Sequence, residues 1–112
     1  LVAKELADFL GVLSHPHRIR IIEELRGGEQ NVNSLRQTLS ISHAGVSQHL
    51  MVLRANRLVS ERRQGREVFY HLQQPEIAAW LLDATRFLEQ ETATVETLRE
   101  AIDKTRHDWN DQ

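Results

Sequence analysis

The stretch Ser42-His43-Ala44-Gly45-Val46-Ser47-Gln48-His49-Leu50-Met51-Val52-Leu53 decides the fold. Wound at helical period, it lines up Val46, Leu50 and Leu53 on one apolar face. His43, Ala44, Ser47, Gln48 and Arg54 point elsewhere and are short or polar, so the helix packs by one side and offers the other for contact. Ser42 stands where an N-cap accepts from an otherwise unpaired N–H of the first turn. Just upstream, Asn33-Ser34-Leu35-Arg36-Gln37-Thr38-Leu39 spells a helix of about two turns. Ser40-Ile41-Ser42 leaves only a short connection between the two. Helices joined that tightly form a helix-turn-helix, whose second member enters the DNA major groove.

The polar face suits that task. Gln48 offers a donor and an acceptor side by side, matching the N6/N7 edge of adenine. Ser47 and Ser42 serve bases or phosphates, Ala44 suits a thymine methyl, and Gly45 keeps the helix slim near the groove. Ser42, His43, Ala44, Ser47 and Gln48 are therefore the candidate base readers.

After Asn56-Arg57 the period switches from helical to alternating, through Leu58-Val59-Ser60-Glu61-Arg62-Arg63, then Gln64-Gly65, then Arg66-Glu67-Val68-Phe69-Tyr70-His71-Leu72. Gly65, taken as the second loop residue, supplies a positive φ between β-branched and aromatic flanks, which predicts a two-stranded hairpin. Its tip carries Arg62, Arg63 and Arg66. A basic hairpin directly after such a helix is a wing placed to grip phosphates beside the groove. His49, Arg54, Arg62, Arg63, Gln64 and Arg66 are the candidate phosphate contacts, with helix packing the alternative for His49.

These segments resemble the ArsR/SmtB family of winged-helix repressors. Ser47-Gln48-His49-Leu50 matches the family's S-x-H-L signature, and His15-Pro16-His17-Arg18-Ile19-Arg20-Ile21-Ile22 is similar to its second helix, written D/H-P-x-R-L-x-I-L. Leu58-Val59, Arg63-Gln64-Gly65-Arg66 and Tyr70-His71-Leu72 follow in the family's order, so the likeness covers roughly residues 5–90. One departure is Arg57, where the family usually places Gly to end the recognition helix; Asn56 is expected to take the left-handed conformation instead. The resemblance implies a mostly α (α+β) winged helix-turn-helix of about five to six helices with a two-stranded wing. It further implies a homodimer that represses by occupying double-stranded DNA at an operator, and that an effector releases.

The 112 residues leave room for one domain, expected to span 1–112. Net charge is −2, yet it is segregated. Residues 34–74 hold six Arg against Glu61 and Glu67, whereas residues 75–112 hold four Lys/Arg against nine Asp/Glu. A positive head with an acidic following segment suits a protein that touches DNA at one end. The absence of cysteine rules out disulfides and thiolate metal sites. No apolar run approaches the roughly 20 residues of a membrane span, and no signal-peptide pattern appears, so a cytoplasmic location is expected. The chain starts at Leu1 rather than Met, which leaves targeting open.

Residues 2–13 place Val2, Leu6, Phe9, Leu10 and Leu13 on one stripe, a first amphipathic helix. Pro16 opens a second that buries Ile19, Ile22 and Leu25 and stops at Gly27-Gly28. Residues 28–32 read as a loop with room for a short edge strand added to the hairpin. From Pro75 the positions Ile77, Ala78, Trp80, Leu81, Leu82, Ala84, Phe87 and Leu88 cover more than one stripe. The simplest cover for so apolar a helix is a second copy across a two-fold axis. Leu6, Phe9, Leu10, Leu13, Trp80, Leu81, Phe87 and Leu88 are the candidate dimer residues, with the first helix and residues 75–109 as the dimerisation region. Residues 92–109 keep Val95, Leu98, Ile102 and Trp109 at helical spacing, either bending back or continuing the previous helix.

The metal sites that the resemblance implies fall on Asn31-Val32-Asn33 and on Gln74, Glu76, Phe87 and Gln90, where only Glu76 has a side chain that could bind a metal. No metal or cofactor is expected on those grounds, and the effector is expected to be something other than a metal. An alternative sensor would use His15 and His17, or Asp103, His107 and Asp108. A winged-helix protein-interaction module is the second alternative, disfavoured by the three Arg at the hairpin tip. No nucleophile-and-base spacing, Gly-rich phosphate loop or paired acid in an apolar setting suggests an enzyme.

Overall fold

The computed structural model describes residues 2–110, and the side chains of all of these except 92–94 and 107–110. Five helices and three strands follow in the order α1 (Val2–Val12), α2 (Pro16–Leu25), β1 (Gln30–Asn31), α3 (Val32–Leu39), α4 (His43–Ala55), β2 (Val59–Gln64), β3 (Glu67–Leu72) and α5 (Glu76–Asn110). The chain divides into two compact units, Leu1–Ala79 and Trp80–Gln112.

The first unit is built around α2, α3 and α4. Ile21, Ile22 and Leu25 of α2, Leu35 and Leu39 of α3, and Val46, Leu50 and Leu53 of α4 are all buried. Leu13, Leu58, Val59, Leu72 and Ala78 extend this core to the ends of the neighbouring elements. The helical stripe of α4 is the predicted one, while α2 buries Ile21 along with the predicted Ile22 and Leu25 and leaves Ile19 half-buried. Pro16 sits in the first turn of α2 after His15, whose side chain makes no capping bond.

The edge strand is real, and the sheet has three antiparallel strands in the order β1-β3-β2. β1 pairs Gln30 with Tyr70 and Asn31 with Phe69. Asn31 then serves a second purpose, its Oδ1 accepting from the Ser34 N–H at 2.8 Å to cap α3. The hairpin turn lies one residue later than predicted. Gln64 still pairs with Glu67, so the loop is Gly65-Arg66, with Gly65 at φ 62 in its first position. Gly at the first of two loop residues is the type II′ preference, which matches the twist of the flanking strands.

The second correction concerns the end of α4. Asn56 keeps a negative φ of −96 and Arg57 itself takes the left-handed conformation at φ 61. The hydrogen bonds explain why. Leu58 N–H reaches back to the Leu53 carbonyl at 2.9 Å and Arg57 N–H to the Arg54 carbonyl at 3.0 Å. That pair is a Schellman motif, which requires the left-handed residue one place after the cap. Asn56 donates from Nδ2 to the Val52 carbonyl at 2.8 Å.

In the second unit α5 runs unbroken to Asn110, so residues 92–109 continue the helix that begins at Glu76. Leu81 is buried, whereas Leu82, Phe87, Leu88, Val95, Leu98 and Ile102 are exposed. No helix among the described residues is long and apolar enough to cross a membrane.

Candidate nucleic-acid interface

The helix-turn-helix corner is made by Ser40, which adopts φ 57, ψ 42 while its N–H bonds the Arg36 carbonyl at 2.9 Å. A serine in the left-handed region carries the Cβ cost that glycine would avoid, and nothing in composition marks it. Two residues on, Ser42 Oγ accepts from the Gly45 N–H at 3.0 Å and starts α4. Gly45 owes its place to this cap, since a Cβ there would stand 3.1 Å from Ser42 Oγ.

With α4 packed through Val46, Leu50 and Leu53, its opposite side presents Ser42, His43, Ala44 and Gln48 to solvent and Ser47 half-exposed. All five candidate base readers thus lie together on or beside the first two turns. His43 and Ser47 also line a cleft of about 400 Å³ whose other walls are Asn31, Val32 and Asn33 from β1 and α3, and Arg66, Glu67, Val68 and Tyr70 from the wing. The cleft joins the reading helix to the hairpin, an arrangement that hydrophobic spacing alone does not reveal.

The wing sorts its side chains by alternation. Val59, Glu61 and Arg63 share one face with their partners Leu72, Tyr70 and Val68; Ser60, Arg62 and Gln64 share the other with His71, Phe69 and Glu67. Tyr70 and Val68 line the cleft with α4, so Arg63 stands on the side of the reading helix and Arg62 on the reverse. Among the described residues Arg63 and Arg66 make no side-chain hydrogen bond or salt bridge and are free to meet an anion.

Arg62 is engaged. Its Nε donates to Glu29 Oε1 at 3.0 Å, its Nη1 to Gln64 Oε1 at 3.1 Å, and its guanidinium lies 5.1 Å from the centre of the Phe69 ring. The bond from Arg62 holds the Glu29 carboxyl below its usual range, and the same bond raises the arginine. Arg54, at the end of α4, pairs with Glu61 at 3.2 Å. Tyr70 is raised above its ordinary value, first by burial and then by the nearby Glu61 carboxylate.

His49 does not stand with these arginines. Half-buried, it accepts at Nδ1 from Arg18 Nε at 3.3 Å, and its ring centre lies 5.9 Å from His15 and 5.7 Å from His17. It joins α4 to the start of α2, which is the packing role weighed for it beside phosphate contact. Among the described residues no group of three or more His, Asp or Glu is arranged to hold a metal ion. Asp103 is exposed on α5, while the side chains of His107 and Asp108 lie outside the described residues. Of the candidate dimer residues, Leu6, Leu10, Trp80, Phe87 and Leu88 are exposed, Phe9 is half-buried, and Leu13 and Leu81 are buried.

Comparison with known proteins agrees with this geometry. Residues 13–62 match a family model described as a helix-turn-helix domain. The biofilm growth-associated repressor of Xylella fastidiosa is 40% identical over 91 residues, covering 80% of this chain and 79% of that protein. A transcriptional repressor SmtB homolog of Synechocystis is 39% identical over 70 residues; the match spans 62% of this chain and 53% of that relative's length. Among solved structures, Rv0081 of Mycobacterium tuberculosis superimposes with a TM-score of 0.76 at 33% identity, covering 82% of this chain and 93% of that one. These relatives are DNA-binding transcriptional regulators rather than enzymes. With its capped reading helix, its three-stranded wing and these likenesses, the chain belongs to the ArsR/SmtB family of winged helix-turn-helix transcriptional regulators.

Proposed function

We propose that the protein is a homodimeric repressor that occupies an imperfect inverted repeat in double-stranded DNA. The observation that carries this is the cleft between α4 and the wing: His43 and Ser47, on the helix that also bears Ala44 and Gln48, share it with the unpaired Arg66, and Arg63 lies on the same face of the wing as the cleft residues Val68 and Tyr70. Base readers without phosphate anchors bind too weakly, and anchors alone do not discriminate; the two kinds together make an operator-binding surface. Arg54 joins the anchors once phosphate competes for its pair with Glu61. The exposed Leu6 and Leu10 on α1 and Phe87 and Leu88 on α5 supply apolar surface for a second copy. Leu13 and Leu81 contribute by supporting those surfaces from within. The whole chain acts as one regulator, and with DNA as its partner it works in the cytoplasm.

Release comes from an effector other than a metal ion. At one family metal position Asn31 is spent on capping α3, and Asn33 Oδ1 accepts from Arg36 at 3.1 Å. The test is Gln48→Ala measured by fluorescence anisotropy on operator and on random duplex. We expect a loss of about 1–3 kcal/mol on the operator and almost none on random DNA. Equal losses on both would remove Gln48 from the base readers.

A further inference from the structure

We infer that the junction between the start of α2 and the middle of α4 is an acid-sensitive latch, in which protonation of His49 releases Arg18 and loosens the reading helix. The inference rests on the DNA-binding reading for its effect, but not for its chemistry.

Arg18 is the bolt. Its Nη1 donates to the Val12 carbonyl at the end of α1 at 3.0 Å, and its Nε donates to His49 Nδ1 at 3.3 Å. One guanidinium therefore ties α1, α2 and α4 together. An arginine only donates, so His49 Nδ1 has to be the acceptor, which fixes the ring as neutral with its proton on Nε2. The only place for a second proton is the atom to which Arg18 already donates. Protonation and the Arg18 bond are mutually exclusive.

The surroundings add to the effect. The charged or titratable groups that act on His49 are Arg18, His17 and His15, all from the start of α2, and none is a carboxylate. On the other elements packed against α4, Glu61 of β2 pairs with Arg54 and Arg36 of α3 binds Asn33. Burial first, then Arg18 and the two histidines, hold His49 below its ordinary 6.5. His17 Nδ1 is itself buried without a hydrogen-bond partner beside this bond. His49 lies next to Gln48, and loosening its helix moves the base reader.

The experiment has two arms on the full chain. Long-range 1H–15N NMR of the wild-type protein without DNA should show the Nε2-protonated tautomer at neutral pH and titration of His49 below 6.5. Anisotropy on operator DNA should show wild-type affinity falling several-fold between about pH 7.5 and about pH 5.5. His49→Asn, whose amide oxygen accepts from Arg18 without titrating, should lack that fall. His49 titrating at or above 6.5, or the Nδ1-protonated tautomer, would overturn the latch, as would parallel acid losses in both proteins. Should the variant not fold, the NMR arm decides alone. Failure of the wild type to bind DNA at neutral pH would instead overturn the proposed function, and the tautomer and titration of His49 would still decide whether the latch exists.

Discussion

Arg54 in the last turn of α4 and Glu61 on β2 form an ion pair at 3.2 Å, and through it the reading helix is tied to the wing. Glu61 also stands opposite Tyr70 on β3, whose phenol its charge helps to raise, so one carboxylate faces two further elements. Because Arg54 is largely exposed, the pair contributes little to stability, on the order of 0.2–1 kcal/mol. In the proposed repressor its larger effect is to occupy an arginine that DNA phosphate would otherwise engage. Glu61→Gln keeps the size of the side chain while removing the charge. We expect the slope of log affinity against log salt to steepen by up to about one unit, with the melting temperature nearly unchanged. An unchanged slope would mean that Arg54 does not face phosphate.

Arg62 and Arg63 are adjacent in sequence and stand on opposite faces of the wing. Arg63→Ala should weaken binding to all sequences alike and flatten the salt slope by about one unit. Arg62→Ala should leave that slope almost intact and lower thermal stability, since it breaks the bonds to Glu29 and Gln64 and the contact over Phe69. Salt titrations and melting curves of both variants separate the two. Equal slope changes would show that DNA draws Arg62 away from Glu29.

Arg57 holds a left-handed conformation at φ 61 that costs a side-chain-bearing residue about 1 kcal/mol more than glycine. Arg57→Gly should therefore raise unfolding free energy only slightly, by up to roughly 0.5 kcal/mol, after the extra freedom glycine gains in the unfolded chain is subtracted. Urea denaturation checks it. A loss of stability would mean that the arginine side chain makes a compensating contact.

Acid should also act on the fold itself. The His49 pKa is lowered on folding, so the neutral form is favoured in the native state. Its contribution is fully present above the unfolded value of 6.5 and is lost as pH falls from there through the folded value. Unfolding free energy of the wild type should decline across that window, and His49→Asn should lack that component. Identical pH profiles for the two would contradict it.

The helix-turn-helix and the wing were legible because each rests on short-range rules: a period of 3.6 through Val46, Leu50 and Leu53, an N-cap serine, and alternation around a glycine turn. What escaped rests on contacts between elements. The pairing of Gln30 and Asn31 with Tyr70 and Phe69 spans some 40 residues, and no local pattern marks a two-residue edge strand. Arg62 and Arg63 read alike as basic tip residues until the register places them on opposite faces. His49 carries the family signature, but its partner Arg18 lies 31 residues away. The left-handed Arg57 was misplaced onto Asn56 because residue preference favours asparagine, whereas the hydrogen-bond pattern from Leu58 to Leu53 dictates the position.

In the proposed repressor two copies of α4 read two half-sites. Selection of random duplexes by the full chain, followed by sequencing of the bound pool, tests it most directly. We expect enrichment of an imperfect inverted repeat whose half-site centres lie about one helical turn, roughly 34 Å, apart, with the preference relaxed in Gln48→Ala at matching positions in both halves. Enrichment of a single unrepeated site, or of no sequence at all, would contradict it.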